Sequence, residues 1–294
     1  MKREIQRTKI IATLGPASWA PSKIENLMIA GVDVFRINFS HGEHARHAET
    51  IANVRNAEKK LGRAVALLAD LQGPRIRLGK LPGEGVSLRR GDMVKFTNHG
   101  AAKDLLHIPV TYAGFAKDVH RGARILIADG EIELKVKSIQ NGEVAAQVVC
   151  GGLLKSNKGI NLPDCDVSIA TLTTKDRADL AFAAKAGADA IAVSFVGCAA
   201  DIQLAKTLLA KEKSNAIVIA KIERKLAIDN LDEILEAADA VMVARGDLAV
   251  EVGYENVPVL QKEIIQKSIA LARPVIVATQ MLDSMIEHPR PTRA

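Results

Sequence analysis

The sequence has few cysteines and few aromatic residues, and it contains no long apolar run. Its three cysteines, Cys150, Cys165 and Cys198, are odd in number and form no Cys-x-x-Cys pair. This usage signals neither a disulfide framework nor a zinc site. Aromatic residues make up only 3% of the chain, which argues against nucleic-acid binding by base stacking. With no membrane-length apolar run and no signal-type segment after Met1, we expect a cytoplasmic protein that binds neither membrane nor nucleic acid.

The rest of the composition describes a globular protein with an aliphatic core. Apolar residues account for 48% of the 294 positions, and the formal net charge is +6. A basic balance fits anionic partners such as phosphorylated metabolites. The basic residues are scattered rather than grouped, which disfavours a tail that binds polyanions.

Apolar segments of strand length alternate with helical patterns in two parts of the chain. Strands are predicted at residues 8–14, 32–39, 64–70, 190–195, 217–223, 240–247 and 274–278. Helices are predicted at 22–30, 44–61, 173–186, 201–211, 230–237 and 259–272, with Ser22 capping the first. This rhythm predicts an α/β fold, a (β/α)8-type TIM barrel with seven of its eight strands present. Because seven strands do not close such a barrel, we expect the sequence to be a fragment.

The helical patterns stop between Pro74 and Leu162, where short β-prone pieces and glycine turns take over. Asn141-Gly142 is a strong hairpin signal, and Asp129-Gly130 marks a second turn. We therefore predict a small all-β domain at residues 74–162. It would be inserted into a barrel formed by residues 1–73 and 163–294.

Two neighbouring predicted strands end in charged residues. Lys221 and Glu223 are two apart and so point to the same side of their strand, and Arg245 and Asp247 are interpreted in the same way on the next. Parallel strands lie roughly 5 Å apart, so Glu223 and Asp247 can face one ion beside the Lys221 ammonium. A lone Lys-x-Glu is more often a solvated strand end, but two matched pairs favour a magnesium-assisted phosphoryl-transfer site.

Other polar residues end the remaining strands and would converge on the same barrel mouth. Arg36 and Lys221 could neutralise a phosphoryl group, although Arg36 could also simply pair with Asp70. Backbone N–H groups around Gly246 could approach an anion closely. The full predicted set is Arg36, Asn38, Ser40, Asp70, Ser194, Lys221, Glu223, Arg245, Asp247 and Thr279.

Three histidines and one basic cluster are weaker candidates. His41, His44 and His47 lack the spacing of a zinc protease pair. We interpret His44 and His47 as a solvated helix face, and His41 as a site candidate because it follows a strand. The cluster at residues 155–159 is either a solvated turn or a phosphate clamp, and the sequence leaves both open.

Six segments, in order along nearly the whole chain, resemble the pyruvate kinase family. They are residues 8–16 (TKIIATLGP), 35–42 (FRINFSHG), 158–163 (KGINLP), 220–223 (AKIE), 242–248 (MVARGDL) and 278–282 (ATQML). The resemblance implies transfer of the phosphoryl group of phosphoenolpyruvate to ADP, giving pyruvate and ATP in glycolysis. It also implies a homo-oligomer, a tetramer in the full-length family, and a β domain that acts as a lid.

The roles of individual residues also come from this resemblance. Glu223 and Asp247 would hold Mg²⁺ or Mn²⁺, and Lys221 would stabilise the moving phosphoryl group. By the same resemblance, Arg36 and Arg77 would contact phosphate. Thr279 and the backbone of Gly246 and Asp247 would bind the substrate carboxylate. The nucleotide would be bound by Asn38, His41, Arg77 and Lys158.

The chain departs from the family at the potassium site. That site resembles Asn38, Ser40, Asp70 and the backbone of Leu71, and members that need potassium carry glutamate where this chain has Arg75. Because the guanidinium could supply the missing charge, we expect that K⁺ is not required. The family also continues with an eighth βα unit and a C-terminal regulatory domain.

Two other functions remain open from the sequence. One is a carbon–carbon lyase or aldolase of a related phosphoenolpyruvate-binding barrel, which would share the metal carboxylates but have no use for the lid or Lys158. The other is an inactive truncated fragment that serves as a basic binding protein. Formation of ATP from phosphoenolpyruvate and ADP would separate both from a kinase.

Overall fold

The computed structural model describes residues 7–98, 107–281 and 283–290. In this part of the chain sixteen strands occur. The first three are β1 (Ile11–Leu14), β2 (Val34–Asn38) and β3 (Ala66–Asp70). Nine follow between residues 76 and 161: β4 (Ile76–Arg77), β5 (Val86–Leu88), β6 (Met93–Thr97), β7 (His107–Pro109), β8 (Arg124–Ile127), β9 (Ile132–Gln140), β10 (Glu143–Cys150), β11 (Gly152–Leu154) and β12 (Gly159–Asn161). The last four are β13 (Ala190–Val193), β14 (Ile217–Ile222), β15 (Ala240–Val243) and β16 (Val275–Val277).

Nine α-helices lie in the same described residues. They are α1 (Pro21–Ala30), α2 (His44–Leu61), α3 (Phe115–Asp118), α4 (Thr174–Lys185), α5 (Ala199–Lys211), α6 (Lys225–Asp229), α7 (Leu231–Ala237), α8 (Arg245–Val252) and α9 (Val257–Ala270). Two 3₁₀ turns, at Tyr254–Asn256 and Asp283–Ile286, complete the elements. None of the described helices combines the length and the apolar character that crossing a bilayer requires.

One parallel sheet contains the barrel-type strands in the order β1-β2-β3-β13-β14-β15-β16. Each adjacent pair is parallel, and helices connect successive strands. This arrangement confirms the predicted fold class, a partial (β/α)8-type barrel. Within the described residues β1 and β16 are the two ends of the sheet, and they do not pair with each other.

Several helix ends show standard capping chemistry. Gly31 and Gly62 close α1 and α2 in the left-handed region, with φ of 117° and 61°. Thr173 and Asp176 form a capping box at the start of α4. The predicted cap at Ser22 is wrong, because α1 begins one residue earlier at Pro21, whose fixed φ suits the first helical position.

The second large sheet lies between β3 and β13 in the chain and has the order β4-β12-β8-β9-β10-β6-β7. Its longest hairpin, β9–β10, turns at Asn141 and Gly142, both with positive φ, as the Asn-Gly signal predicts. Its buried residues form one hydrophobic cluster that extends from Ile76 to Cys165. The domain boundaries at 73/74 and 162/163 stay a prediction, and this separate core supports them.

Alternation along the parallel strands divides the barrel core into two clusters. Outward-facing residues such as Val218 and Ala220 pack under the helices. Their neighbour Ile219 faces inward, where it joins a small aliphatic cluster with Leu68 and Ala192. The inward set continues toward the carboxyl ends of the strands, and there it changes from apolar to charged.

Asp176 connects the start of α4 to the end of β3. Its carboxylate is fully buried, and it accepts hydrogen bonds from Gly73 N at 3.0 Å and from Thr173 N at 3.0 Å. The turn after β3 therefore depends on a side chain from a helix about 100 residues further along the chain.

We predict that Asp176→Ala lowers the free energy of unfolding by about 3 kcal/mol. The change removes a helix cap and leaves the buried Gly73 N–H without an acceptor. Urea unfolding followed by the fluorescence of Trp19, the chain's one tryptophan, reports on the barrel. The control is Asp232→Ala, because Asp232 lies in the first turn of α7 with a side chain 75% exposed. A similar loss in both variants would contradict the prediction.

Candidate active site

Polar and charged side chains from five neighbouring strands, β1, β2, β3, β13 and β14, meet inside the barrel mouth. The parallel register of β1 and β2 places Thr13 beside Arg36. The register of β13 and β14 pairs Val193 with Ala220, so the next residues, Ser194 and Lys221, also lie side by side. Strand alternation gives all of the charged members the inward direction. The site is therefore a continuation of the inner barrel layers, with charge in place of aliphatic carbon.

The ammonium group of Lys221 lies at the centre of these contacts. Its Nζ is 2.8 Å from Glu223 Oε1 and donates to Ser194 Oγ at 2.6 Å. It is also 3.1 Å from Asp70 Oδ1, an ion-pair contact without the angles of a hydrogen bond. Ser194 in turn donates to the carbonyl of Leu71 at 2.7 Å. One lysine thus joins three strand ends.

Asp70 holds a second cation, Arg36. Arg36 Nε donates to Asp70 Oδ2 at 2.7 Å, and Nη2 of the same guanidinium is 2.5 Å from that oxygen. Arg36 Nη1 donates to Thr13 Oγ1 at 2.8 Å. The pairing that the sequence left as an alternative is present, and the guanidinium is at the same time part of the cluster around Lys221.

Burial and charge act together on the proton affinity of this cluster. Burial favours the neutral form of Lys221, but the charges of Glu223 and Asp70 outweigh it and raise the pKa of the ammonium. Burial also raises the pKa of Glu223, to which the charges of Asp247 and Asp70 add, while Lys221 opposes the rise. Lys221 therefore stays a cation at neutral pH.

The donor atoms and surroundings of Glu223 and Asp247 suit a magnesium site. The Glu223 side chain is 1% exposed, and its second oxygen, Oε2, accepts from Phe195 N at 2.7 Å. Asp247 is near enough to influence the pKa of Glu223, and it lines the cleft below the second sheet. Two carboxylates fit Mg²⁺, which keeps several waters and takes oxygens from its substrate. Among the described residues no group of three or more His, Cys, Asp and Glu side chains forms a metal site.

The prediction that Arg245 and Asp247 alternate along a strand is wrong. β15 ends at Val243, and both residues lie in the first turn of α8. Residues two apart on a helix point about 200° apart, so the side chains separate. Arg245 donates to the carbonyls of Ala278 and Gln280, at 2.7 Å and 3.1 Å, and only Asp247 lines the cleft.

Thr279 follows β16 and lies against the start of α8. Its Oγ1 accepts from Gly246 N at 3.3 Å, and its φ of 80° is unusual for a threonine. The helix start offers unpaired N–H groups and a partial positive charge beside this hydroxyl. The predicted substrate-carboxylate residues, Gly246, Asp247 and Thr279, are thus brought together.

The residues predicted for the nucleotide side fall into two groups. Asn38 ends β2, and its Oδ1 accepts from Ser40 N at 3.0 Å, with His41 exposed next to it. Arg77 lies on β4 of the second sheet, where it pairs with Gly159, the residue after Lys158. Arg77 Nη1 donates to Asn157 O at 2.9 Å, and Lys158 is exposed. No contact between the two groups is seen in the described part of the chain.

Arg75 and Asp247 line the same cleft between the barrel and the second sheet. Arg75 is exposed there. The cleft also contains Glu251, a carboxylate that the sequence analysis missed, which accepts from Asn161 Nδ2 at 3.5 Å. Burial raises the pKa of Glu251, and the nearby Arg224 opposes the rise.

Some site residues were missed although a signal for them existed. Thr13 precedes the end of β1 on the inward face, so the strand period could have found it. Glu251 gave no such signal, because a single acid in a short helix is indistinguishable from an exposed one. His47 was predicted to be solvated but is 7% exposed, since its ring packs on Phe39 with centroids 4.4 Å apart.

The family model and the similar proteins all indicate the same family. The family model described as pyruvate kinase, barrel domain, matches residues 5–294. The pyruvate kinase of Thermococcus litoralis is 46% identical over 294 residues, which cover 100% of this chain and 62% of that protein. That of Geobacillus stearothermophilus is 46% identical over 297 residues, covering 100% and 50%. That of Corynebacterium glutamicum is 47% identical over 289 residues, covering 98% and 61%.

The chain spans only part of the relatives it matches. Its share of their length is 62%, 50% and 61% in the three cases. Family membership therefore applies to the barrel region and the sheet inserted in it.

Proposed function

The chain belongs to the pyruvate kinase family, and from that membership we propose that it transfers the phosphoryl group of phosphoenolpyruvate to ADP. The observation that carries the proposal is the buried ammonium of Lys221 between Glu223 and Asp70, at distances of 2.8 Å and 3.1 Å. A cation fixed in this way is pre-organised for a transferring phosphoryl group and needs little rearrangement during the reaction.

The proposed reaction needs only phosphoenolpyruvate, ADP and one proton. A β-phosphate oxygen of ADP attacks the phosphorus of phosphoenolpyruvate, and the bond from phosphorus to the enol oxygen breaks. The enolate that leaves takes up a proton at its methylene carbon and becomes pyruvate. Lys221 and Arg36 would stabilise the negative charge on the phosphoryl oxygens during transfer.

Glu223 and Asp247 would hold a divalent metal ion, Mg²⁺ or Mn²⁺. When bound, the ion would neutralise charge on substrate and phosphoryl oxygens. Their oxygens suit either ion, and the low exposure of Glu223 keeps competing water away from one side of the site.

The remaining predicted residues would bind the two substrates from opposite sides. Thr279 and the backbone of Gly246 and Asp247 would bind the carboxylate of phosphoenolpyruvate, which the positive end of α8 favours. Arg77 would contact phosphate, and with Asn38, His41 and Lys158 it would bind the nucleotide.

The second sheet would act as a lid on this site. It occupies the predicted domain of residues 74–162 and already shares a cleft with Asp247. Closure of such a lid would exclude water and limit wasteful hydrolysis of the phosphoryl donor. By analogy with the family, the protein would work in glycolysis in the cytoplasm as a homo-oligomer.

We predict that Lys221→Met reduces ATP formation about a thousandfold, because it removes the cation that meets the phosphoryl group. The rate is measured by detecting ATP from phosphoenolpyruvate, ADP and Mg²⁺. The matched control is Lys206→Met, because Lys206 also pairs with a carboxylate, Asp239 at 2.7 Å, but lies on α5. Equal rates in the Lys221 variant and the wild type would contradict the proposal.

We further propose that potassium is not required, because the guanidinium of Arg75 places a positive charge in the cleft that Asp247 also lines. The rate of ATP formation should change less than about twofold when KCl replaces tetramethylammonium chloride at one ionic strength. The reversed charge in Arg75→Glu should create a requirement for potassium. A wild-type rate that rises steeply with potassium would refute this expectation.

A further inference from the structure

A polar network outside the proposed catalytic cluster anchors the loop after β2. The first residue of this loop is Phe39, whose carbonyl accepts a hydrogen bond from Lys175 Nζ at 2.6 Å. Lys175 is in the first turn of α4 and also contacts Asp179 Oδ2 at 2.6 Å. The loop is thus held from a helix that lies about 135 residues further along the chain.

The same aspartate reaches the other end of the loop. Asp179 Oδ1 is 2.7 Å from His44 Nε2, and His44 is the first residue of α2. The Asp179 side chain is 4% exposed, and each of its oxygens has one partner. The His44 ring stacks on Phe182 of α4, with centroids 4.2 Å apart. Residues 39 and 44 are therefore fixed relative to each other through one buried carboxylate.

Packing inside the loop leaves it little freedom. Gly42 has a φ of 84°, and a Cβ at this position would lie 3.2 Å from Cε1 of His47. The ring of Phe39 packs on that histidine. The loop also carries Ser40 and His41, and it follows directly on Asn38, the residues assigned above to the nucleotide and the monovalent-cation site.

We propose that Asp179, acting through Lys175 and His44, is a positioning residue for nucleotide binding. The network fixes residues 39–43 and with them the groups that meet ADP, while the phosphoenolpyruvate side is held by other elements. The inference rests on the proposed function for its kinetic consequence. Its structural consequence, the fixed position of residues 39–43, rests on the hydrogen bonds alone.

The network predicts a selective kinetic effect. Loss of a charged hydrogen-bond donor to the Phe39 carbonyl in Lys175→Met should raise the KM for ADP about tenfold. The KM for phosphoenolpyruvate should stay within about twofold. Asp179→Asn retains the size of the side chain but cannot accept from both partners, so it should act in the same direction.

The matched control is Lys185→Met. Lys185 is at the other end of α4, is also exposed to solvent, at 70% against 49% for Lys175, and pairs with Glu212 at 3.3 Å. It has no contact with the loop, so both KM values should be those of the wild type. If Lys175→Met and Asp179→Asn only damaged the structure, the KM values for ADP and for phosphoenolpyruvate would change equally. That result would overturn the proposal.

Hydrogen–deuterium exchange of the free protein tests the network without any activity. Lys175→Met should speed exchange of the amides in residues 40–43 about tenfold, because the loop then opens more often. Lys185→Met should leave that exchange unchanged, and equal exchange in all three proteins would overturn the proposal. If the wild type makes no ATP, the proposed function fails, and the exchange comparison alone decides whether Lys175 holds the loop.

Discussion

The candidate active site depends on one ion-pair network, in which the ammonium of Lys221 compensates two buried carboxylates. Glu223 and Asp70 are 1% and 2% exposed, so neither could remain ionised at low cost without a cation beside it. The inward direction of all three follows from strand alternation in a parallel sheet. The aliphatic inner core below them excludes water, which strengthens every charge interaction in the mouth.

The turns around the cluster are shaped to support it. Phe195 has a φ of 57°, and in this conformation its backbone N–H donates to Glu223. Gly73 lies opposite, where a Cβ would be 2.8 Å from the Phe195 ring and 2.9 Å from Cβ of Ser194. Glycine is therefore needed at residue 73 because the two strand-end turns approach each other so closely. The carboxylate of Asp176 then fixes the Gly73 N–H, so that the helix α4, this turn and the charged cluster around Lys221 depend on one another.

Much of this arrangement could be predicted from the sequence wherever the cause is local. The period of two places Lys221 and Glu223 on the same side, and Asn141-Gly142 specifies a hairpin, because both follow from backbone geometry within a few residues. The same local reasoning failed at Arg245 and Asp247. A short polar run that contains glycine has no helical periodicity, so the start of α8 was taken for a continued strand.

Contacts between distant parts of the chain were beyond sequence reasoning. The burial of His47, the contacts of Asp179 and the ion pair between Asp70 and Lys221 depend on elements that meet only in the folded barrel. The strands of two or three residues in the second sheet could not be located from the sequence for a related reason. Each is too short to show alternation, and its existence depends on the neighbour with which it pairs.

We propose that Glu223 and Asp247 meet over one divalent ion within reach of the Lys221 ammonium. Crystals of the protein grown with Mn²⁺, and measured for anomalous scattering at the manganese edge, test it most directly. We expect one peak with a carboxylate oxygen of each residue at about 2.2 Å, close to the distances of hard divalent ions. A peak bound by only one of the two, or a manganese ion held elsewhere with this pair unoccupied, would contradict it.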